Sequence, residues 1–314
     1  MLGLLSNLEP GLIRGVNFST GAMGVTSADR VGGAIQFIPR NLSHNFLGFN
    51  LNPLWYSAWG GLYMSKGLGV GASIRQSFLG EMIGGEENFT LMDYTVKAQY
   101  NINPFNSVSL TGLNAEDELS SGEEQSGLNM TGDTYSLEGR HIIGSRFIAK
   151  WNLYNTGSRM ELRDEGEDVF FYSEIVENKI STSFIYFAKQ NLRINFGMDF
   201  GNTKFQYLGA SNADTSFIED ESIYSTSLYF NTRLSLTPNT LIEPGLKMDY
   251  FSIEDNLSLS PSLRLRYFLT ENLSLKGYIG MGSQFVRSLN TTEFFFPMQL
   301  WFPGEGVDPV KAYE

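Results

Sequence analysis

Cysteine is absent from the 314 residues, and histidine occurs only at His44 and His141. Without a thiol there is no disulfide framework and no thiolate metal centre, and two isolated imidazoles do not make a zinc site. No apolar run reaches the ~18 residues of a transmembrane helix, which excludes helix-spanning membrane proteins. Cations are scarce as well: 22 Lys and Arg against 34 Asp and Glu leave a net charge of −12. That balance excludes a nucleic-acid surface, which would carry clustered Lys and Arg.

What the chain has instead is alternation. From Leu257 to Leu269, Leu257, Leu259, Leu263, Leu265, Tyr267 and Leu269 alternate with Ser258, Ser260, Ser262, Arg264, Arg266 and Phe268. A strand sends successive side chains to opposite faces, so this segment separates an apolar environment from an aqueous one. It is also longer than the ~5–6 residues of soluble strands and fits the ~9–11 of a transmembrane strand. The same pattern recurs from Asp93 to Ile102, Leu192 to Gly201, Ile223 to Leu236 and Leu246 to Tyr250. A soluble antiparallel sandwich also alternates. Long strands with Lys or Arg inside the alternation are hard to seat on one.

Tight connections appear at Ser65–Gly67, Asn103–Asn106, Ile143–Ser145, Lys189–Asn191, Thr237–Asn239 and Thr270–Asn272. Between them lie longer polar stretches: Glu81–Thr90, Ala115–Gly132, Ser158–Asp168 and Gly209–Glu221. Short turns on one rim and long loops on the other are the asymmetry of outer-membrane barrels, and one strand on each side of every short turn gives about twelve strands. The expected fold is therefore all-β: a partial antiparallel transmembrane β-barrel. Its polar rows are expected to face the lumen and its apolar rows lipid.

The first ~40 residues read as short strands joined by glycine turns. Ile13, Val16, Phe18 and Gly21, then Asp29, Arg30, Gly33, Ile35 and Phe37, resemble the end of the plug domain of TonB-dependent outer-membrane receptors. Pro261–Lys276 is similar to the family's P-R-L-x-L-R-Y-x-L-T-x-N-L-S-L-K hairpin. Gln284, Leu289, Pro297, Leu300, Trp301 and Pro303 are similar to the strand crossing that follows it. The likeness covers essentially the whole chain and is closest to receptors of Bacteroidetes type. It implies a plug remnant over residues 1–40 and a partial barrel over 41–314. A TonB box, most of the plug and the closing aromatic-ended strand have no counterpart here, so the chain is expected to be a fragment or truncated product.

The resemblance implies energy-coupled uptake of a scarce ligand such as an iron chelate, cobalamin or a glycan, at the bacterial outer membrane. Its implied partners are outer-membrane lipid, the small-molecule or glycan ligand, and the TonB complex acting through a missing N-terminal region. Nucleic acid is not among them. No cofactor, metal centre or catalytic residue is expected. His141, in Glu138-Gly139-Arg140-His141, has no serine elbow beside it, and His44 lies in the plug-to-barrel link. The acidic run Asp164–Asp168 lacks the alternating spacing of a calcium loop. Two residue sets remain as candidates. Gly21, Asp29, Arg30, Gly32 and Gly33 form a plug motif for structure or gating, with Asp29 and Arg30 placed to meet lumen charges such as Arg75 or Lys97. Phe294, Phe295, Phe296 and Trp301 form an aromatic cluster for ligand contact or packing. Two rival functions stand beside the receptor: a passive porin and a non-transporting barrel adhesin.

Overall fold

Each alternating segment of the sequence is a strand, and each strand pairs antiparallel with its neighbour. The computed structural model describes residues 9–20, 33–78, 87–121, 127–163, 169–211, 215–253, 256–291, 298–303 and 310–313. A first hairpin joins β1 (Ile13–Thr20) to β2 (Gly33–Pro39). The chain then runs through β3 (Phe46–Leu51), β4 (Trp55–Tyr63), β5 (Leu68–Ser77), β6 (Glu87–Asn103) and β7 (Asn106–Ser121). It continues through β8 (Gly127–Ile143), β9 (Phe147–Arg163), β10 (Val169–Lys189), β11 (Leu192–Ser211) and β12 (Thr215–Thr237). After these come β13 (Thr240–Phe251), β14 (Asn256–Phe268), β15 (Ser274–Gln284), β16 (Val286–Thr291), β17 (Met298–Pro303) and β18 (Val310–Tyr313).

Fourteen strands form one sheet in the order β18-β15-β14 and on down to β3, while β16 and β17 pair separately. This corrects the expected twelve. The two additional strands have no counted turn of their own: β3 precedes the first short turn, and β18 lies in the polar tail, where Tyr313 pairs with Met281. The short connections join β4 to β5, β6 to β7, β8 to β9, β10 to β11, β12 to β13 and β14 to β15. In an antiparallel meander those junctions share one rim, as the sequence asymmetry requires. Asn103 shows how such a turn closes: its Oδ1 accepts from the backbone N–H of Phe105 and of Asn106, both at 2.9 Å.

The long polar connections need a second correction. Much of each is ladder: Glu116 pairs with Thr131 and Ser120 with Gly127, β9 continues to Arg163, and β12 starts at Thr215. At ~3.3 Å per residue and a tilt of ~40°, β12 rises ~58 Å, about twice the hydrocarbon core. The outward face of such an extension meets water, while its inward residues Ala115, Asp117, Leu128, Met160, Phe205 and Ile223 are buried. The polar residues there carry no period-two pattern, so only cross-strand pairing reveals the strand.

The two faces of the sheet are the inverse of a soluble protein's. Leu257, Leu259, Leu263 and Leu265 are 43–61% exposed, whereas Ser258 is 8% and Ser260 1% exposed. Arg75, Asp93, Thr95, Lys97, Ser227, Lys247 and Asp249 are buried on the polar side. Polar residues inside and Leu or Phe outside suit a sheet whose outer solvent is lipid. That outer face also has an upper edge. Leu110, Leu137, Leu153, Ile180 and Phe200 lie in register across five strands. One step further up, the row reads Tyr135, Asn155, Asn178, Asn202 and Tyr224. Asn155 Nδ2 donates to Asn178 Oδ1 at 2.9 Å. The outward residues of β11 from Leu192 to Phe200 rise ~20 Å at the same tilt, close to the ~25 Å apolar band of such barrels.

Near the opposite rim the outward face carries a bonded chain. Trp151 Nε1 donates to His141 Nε2 at 3.1 Å, and His141 Nδ1 lies 2.9 Å from Asn106 Oδ1. The first bond makes Nε2 an acceptor, so Nδ1 carries the proton and donates to Asn106. His141 is thereby a register pin between β7, β8 and β9. Trp151→Phe should cost ~0.5–1.5 kcal/mol in an unfolding titration, the worth of one net hydrogen bond. Unchanged stability would show that the indole bond contributes nothing.

Candidate functional site: the polar inner face

The inner face begins at β4–β6, where the chain's own N-terminal segment sits on it. Glu9 caps a short 3-10 turn over Pro10–Leu12, its Oε1 accepting from the Gly11 N–H at 3.2 Å. Gly11 lies directly against the Trp59 ring of β4, leaving no room for a Cβ. Leu42, 1% exposed, rests on Gly69 and Gly71 of β5; at Gly69 a Cβ would meet the Leu42 carbonyl. Polar bonds seal the contact: Lys97 Nζ donates to the Arg40 carbonyl at 3.1 Å, and Leu42 N–H to Gln99 Oε1 at 3.3 Å. Glycines of β5 thus make a groove for a segment some thirty residues earlier in the chain.

Beside that groove Arg75 Nε meets Asp93 Oδ2 at 2.6 Å, with both side chains largely buried. Arg75 thus pairs with Asp93, and Lys97 with the Arg40 carbonyl. Asp29 and Arg30, with Gly21 and Gly32, lie outside the described residues. Gly33 opens β2, pairing with Thr20. Phe294, Phe295 and Phe296 also lie outside them, and Trp301 stands in β17 opposite Ser288.

A second covered region lies further along the inner face and was missed by sequence reading. Phe205, Tyr207 and Ile223 form a buried cluster, joined by Ile175, Phe251, Ile253 and Val286. The Phe285 ring stacks on Phe251 at 3.8 Å between centroids. The β16–β17 hairpin thus folds back over β10–β13. Below it, Lys247 Nζ and Asp249 Oδ1 pair at 3.0 Å, with side chains 1% and 0% exposed, and Ser227 Oγ donates to the same oxygen at 2.5 Å. Inward Phe and Tyr on β11 break the polar row, and that break was the available sign.

Above the amide row the outward face turns ionic. Arg159 Nη2 pairs with Glu174 Oε1 at 3.0 Å, and Tyr172 donates to Glu174 Oε2 at 2.9 Å. Tyr172 stands ~26 Å along its strand beyond Ile180, outside the apolar band. Burial, then the bond to the Glu174 carboxylate, push its phenol above the ordinary value. Among the described residues no group of three or more His, Asp or Glu is placed to hold a metal ion.

Residues 84–297 match the family model described as "TonB dependent receptor-like, beta-barrel". The chain belongs to the TonB-dependent receptor family. No curated protein matches it in sequence. Among solved structures it is similar to the siderophore receptor PirA of Acinetobacter baumannii, with 14% identity, 96% of this chain and 54% of that one covered, and a TM-score of 0.69. The FrpB iron transporter of Neisseria meningitidis (F3-3 variant) gives 12% identity, coverages of 88% and 53%, and a TM-score of 0.69. The ferric enterobactin receptor PfeA of Pseudomonas aeruginosa, a Q482A mutant in complex with enterobactin, gives 15% identity, coverages of 86% and 49%, and a TM-score of 0.66. These likenesses carry the fold. The chain spans about half the length of each of these receptors.

Proposed function

We propose that this chain is the wall, with the last part of the plug, of an outer-membrane receptor for energy-coupled uptake of an iron chelate. Residues 1–40 are read as plug and 41–314 as partial barrel. One observation carries the reading: the end of residues 1–40 is seated on the inner face of β4–β6, with Gly11 against Trp59 and the Arg40 carbonyl bonded to Lys97. A lumen occupied by the chain itself does not pass solutes freely, which disfavours a porin, and transport then needs work to clear the path. The relatives described as siderophore receptor and iron transporter favour iron chelates over cobalamin or glycans. Lipid meets the outward Leu and Phe rows, the ligand enters from the rim with the long ionic hairpins, and TonB is the energy-coupling partner.

Deleting the gene that carries this sequence should abolish uptake of at least one iron chelate, and collapsing the proton-motive force in the parent strain should have the same effect. Uptake that survives collapse of the gradient would favour the porin. Loss of surface attachment with every uptake rate unchanged would favour the adhesin.

A further inference from the structure

The inner face of β8–β15 near the short-turn rim is cationic, in a chain whose net charge is −12. Three of its cross-strand partners are like-charged: Arg140 with Lys150, Arg193 with Arg233, and Arg266 with Lys276. Like charges directly opposite each other on a sheet are destabilising. Carboxylates in the same band are few among the described residues: Glu243 meets Arg233 at 3.4 Å, and Glu138 lies on β8 two residues from Arg140. The Nε of Arg193 is buried with no hydrogen-bond partner. Arg140, Lys150, Arg233 and Lys276 remain exposed. Among the described residues, the contacts of the N-terminal segment with the sheet are those at β4–β6.

We propose that this wall binds multivalent anions, small molecules that carry two or more carboxylate or phosphate groups and enter the lumen. The inference rests on the reading of the inner face as an aqueous path and names the charge class of what travels along it. Guanidinium forks donate to carboxylate and phosphate oxygens in bidentate geometry, and neighbouring strands ~4.8 Å apart set two such forks side by side. An anion bridging Arg193 and Arg233 relieves their repulsion and satisfies the buried Nε. A monovalent anion answers only one fork. Binding should weaken as salt rises.

The test uses the full chain assembled in detergent micelles, with inorganic pyrophosphate as probe and chloride at matched ionic strength as control. Calorimetry should show saturable pyrophosphate binding, weakened ~tenfold or more in Arg193→Gln, the loss of one charge-assisted contact pair. Arg140→Gln is a second variant with the same expected direction, while Arg159→Gln, on the outward face, should bind as the parent does. Binding no tighter than chloride, or equal in all variants, overturns the proposal. The same titration on the protein purified from its native membrane should still show binding. Its loss there would assign the wall to plug carboxylates and also overturn the proposal. Since the chain has no cysteine, Arg193→Cys should react with a water-soluble maleimide and Ile194→Cys should not. Failure of that labelling refutes the lumen reading itself, whereas labelling without anion binding refutes only the anion surface.

Discussion

Leu265→Arg is expected to destabilise the assembled sheet by ~2–4 kcal/mol in a denaturant titration in lipid vesicles, while Arg264→Ala changes stability little. The two residues are adjacent on β14 yet face different solvents. Leu265 is 45% exposed, in an outward row with Leu263 and Tyr267. It stands ~12 Å above the short-turn rim at the tilt used above, near the middle of the ~25 Å band where an introduced charge costs most. Arg264 shares the inner face with Ser258 and Ser260, opposite Glu243, with its guanidinium 5.7 Å from the Tyr278 ring. Its loss removes surface charge in a wet space, an effect worth ~1 kcal/mol at most. Equal damage from both substitutions would mean that β14 does not separate lipid from water.

Lys247→Met is expected to be the most damaging single change on the inner face. Asp249 accepts from both Lys247 and Ser227, and neither member of the ion pair reaches solvent. Removing one partner strands a buried charge, which typically costs ~3–5 kcal/mol. Replacing both, as Lys247→Met with Asp249→Leu, should cost clearly less than Lys247→Met alone, because no uncompensated charge is left. Unfolding midpoints of the two variants compare them directly. If the double variant is as unstable as the single one, packing around the two side chains matters there and the ion pair does not.

The alternation from Leu257 to Leu269 disclosed the face assignment because period two maps one-to-one onto the two sides of a sheet. Asn103, Thr237 and Thr270 disclosed the turns, because their side chains bond the backbone within a few residues. Glu116, Thr131 and Glu174 hid their strands, since above the apolar band the outward face is polar too and polarity no longer alternates along the strand. Val310–Tyr313 hid for another reason: four residues are too few to show a period, and only pairing with β15 defines them. The inner-face contacts were the least legible. That Gly69 lies under Leu42, or Phe205 under the β16–β17 hairpin, depends on the closure of long loops, which no local pattern encodes. The like-charged partners Arg193 and Arg233 lie forty residues apart and meet only through register.

The central claim is that polar residues line water and apolar residues line lipid on one sheet. Spin labels placed singly from Leu257 to Leu269 test it most directly, because no native cysteine competes for the label. In vesicles, relaxation by oxygen, which concentrates in lipid, should peak at the odd positions, Leu257, Leu259, Leu263 and Leu265. Relaxation by a water-soluble nickel chelate should peak at the even positions that are not buried, Ser262, Arg264 and Arg266. The two profiles should run out of phase with a period of two residues. Profiles in phase, or with the odd positions facing the chelate, would contradict the account.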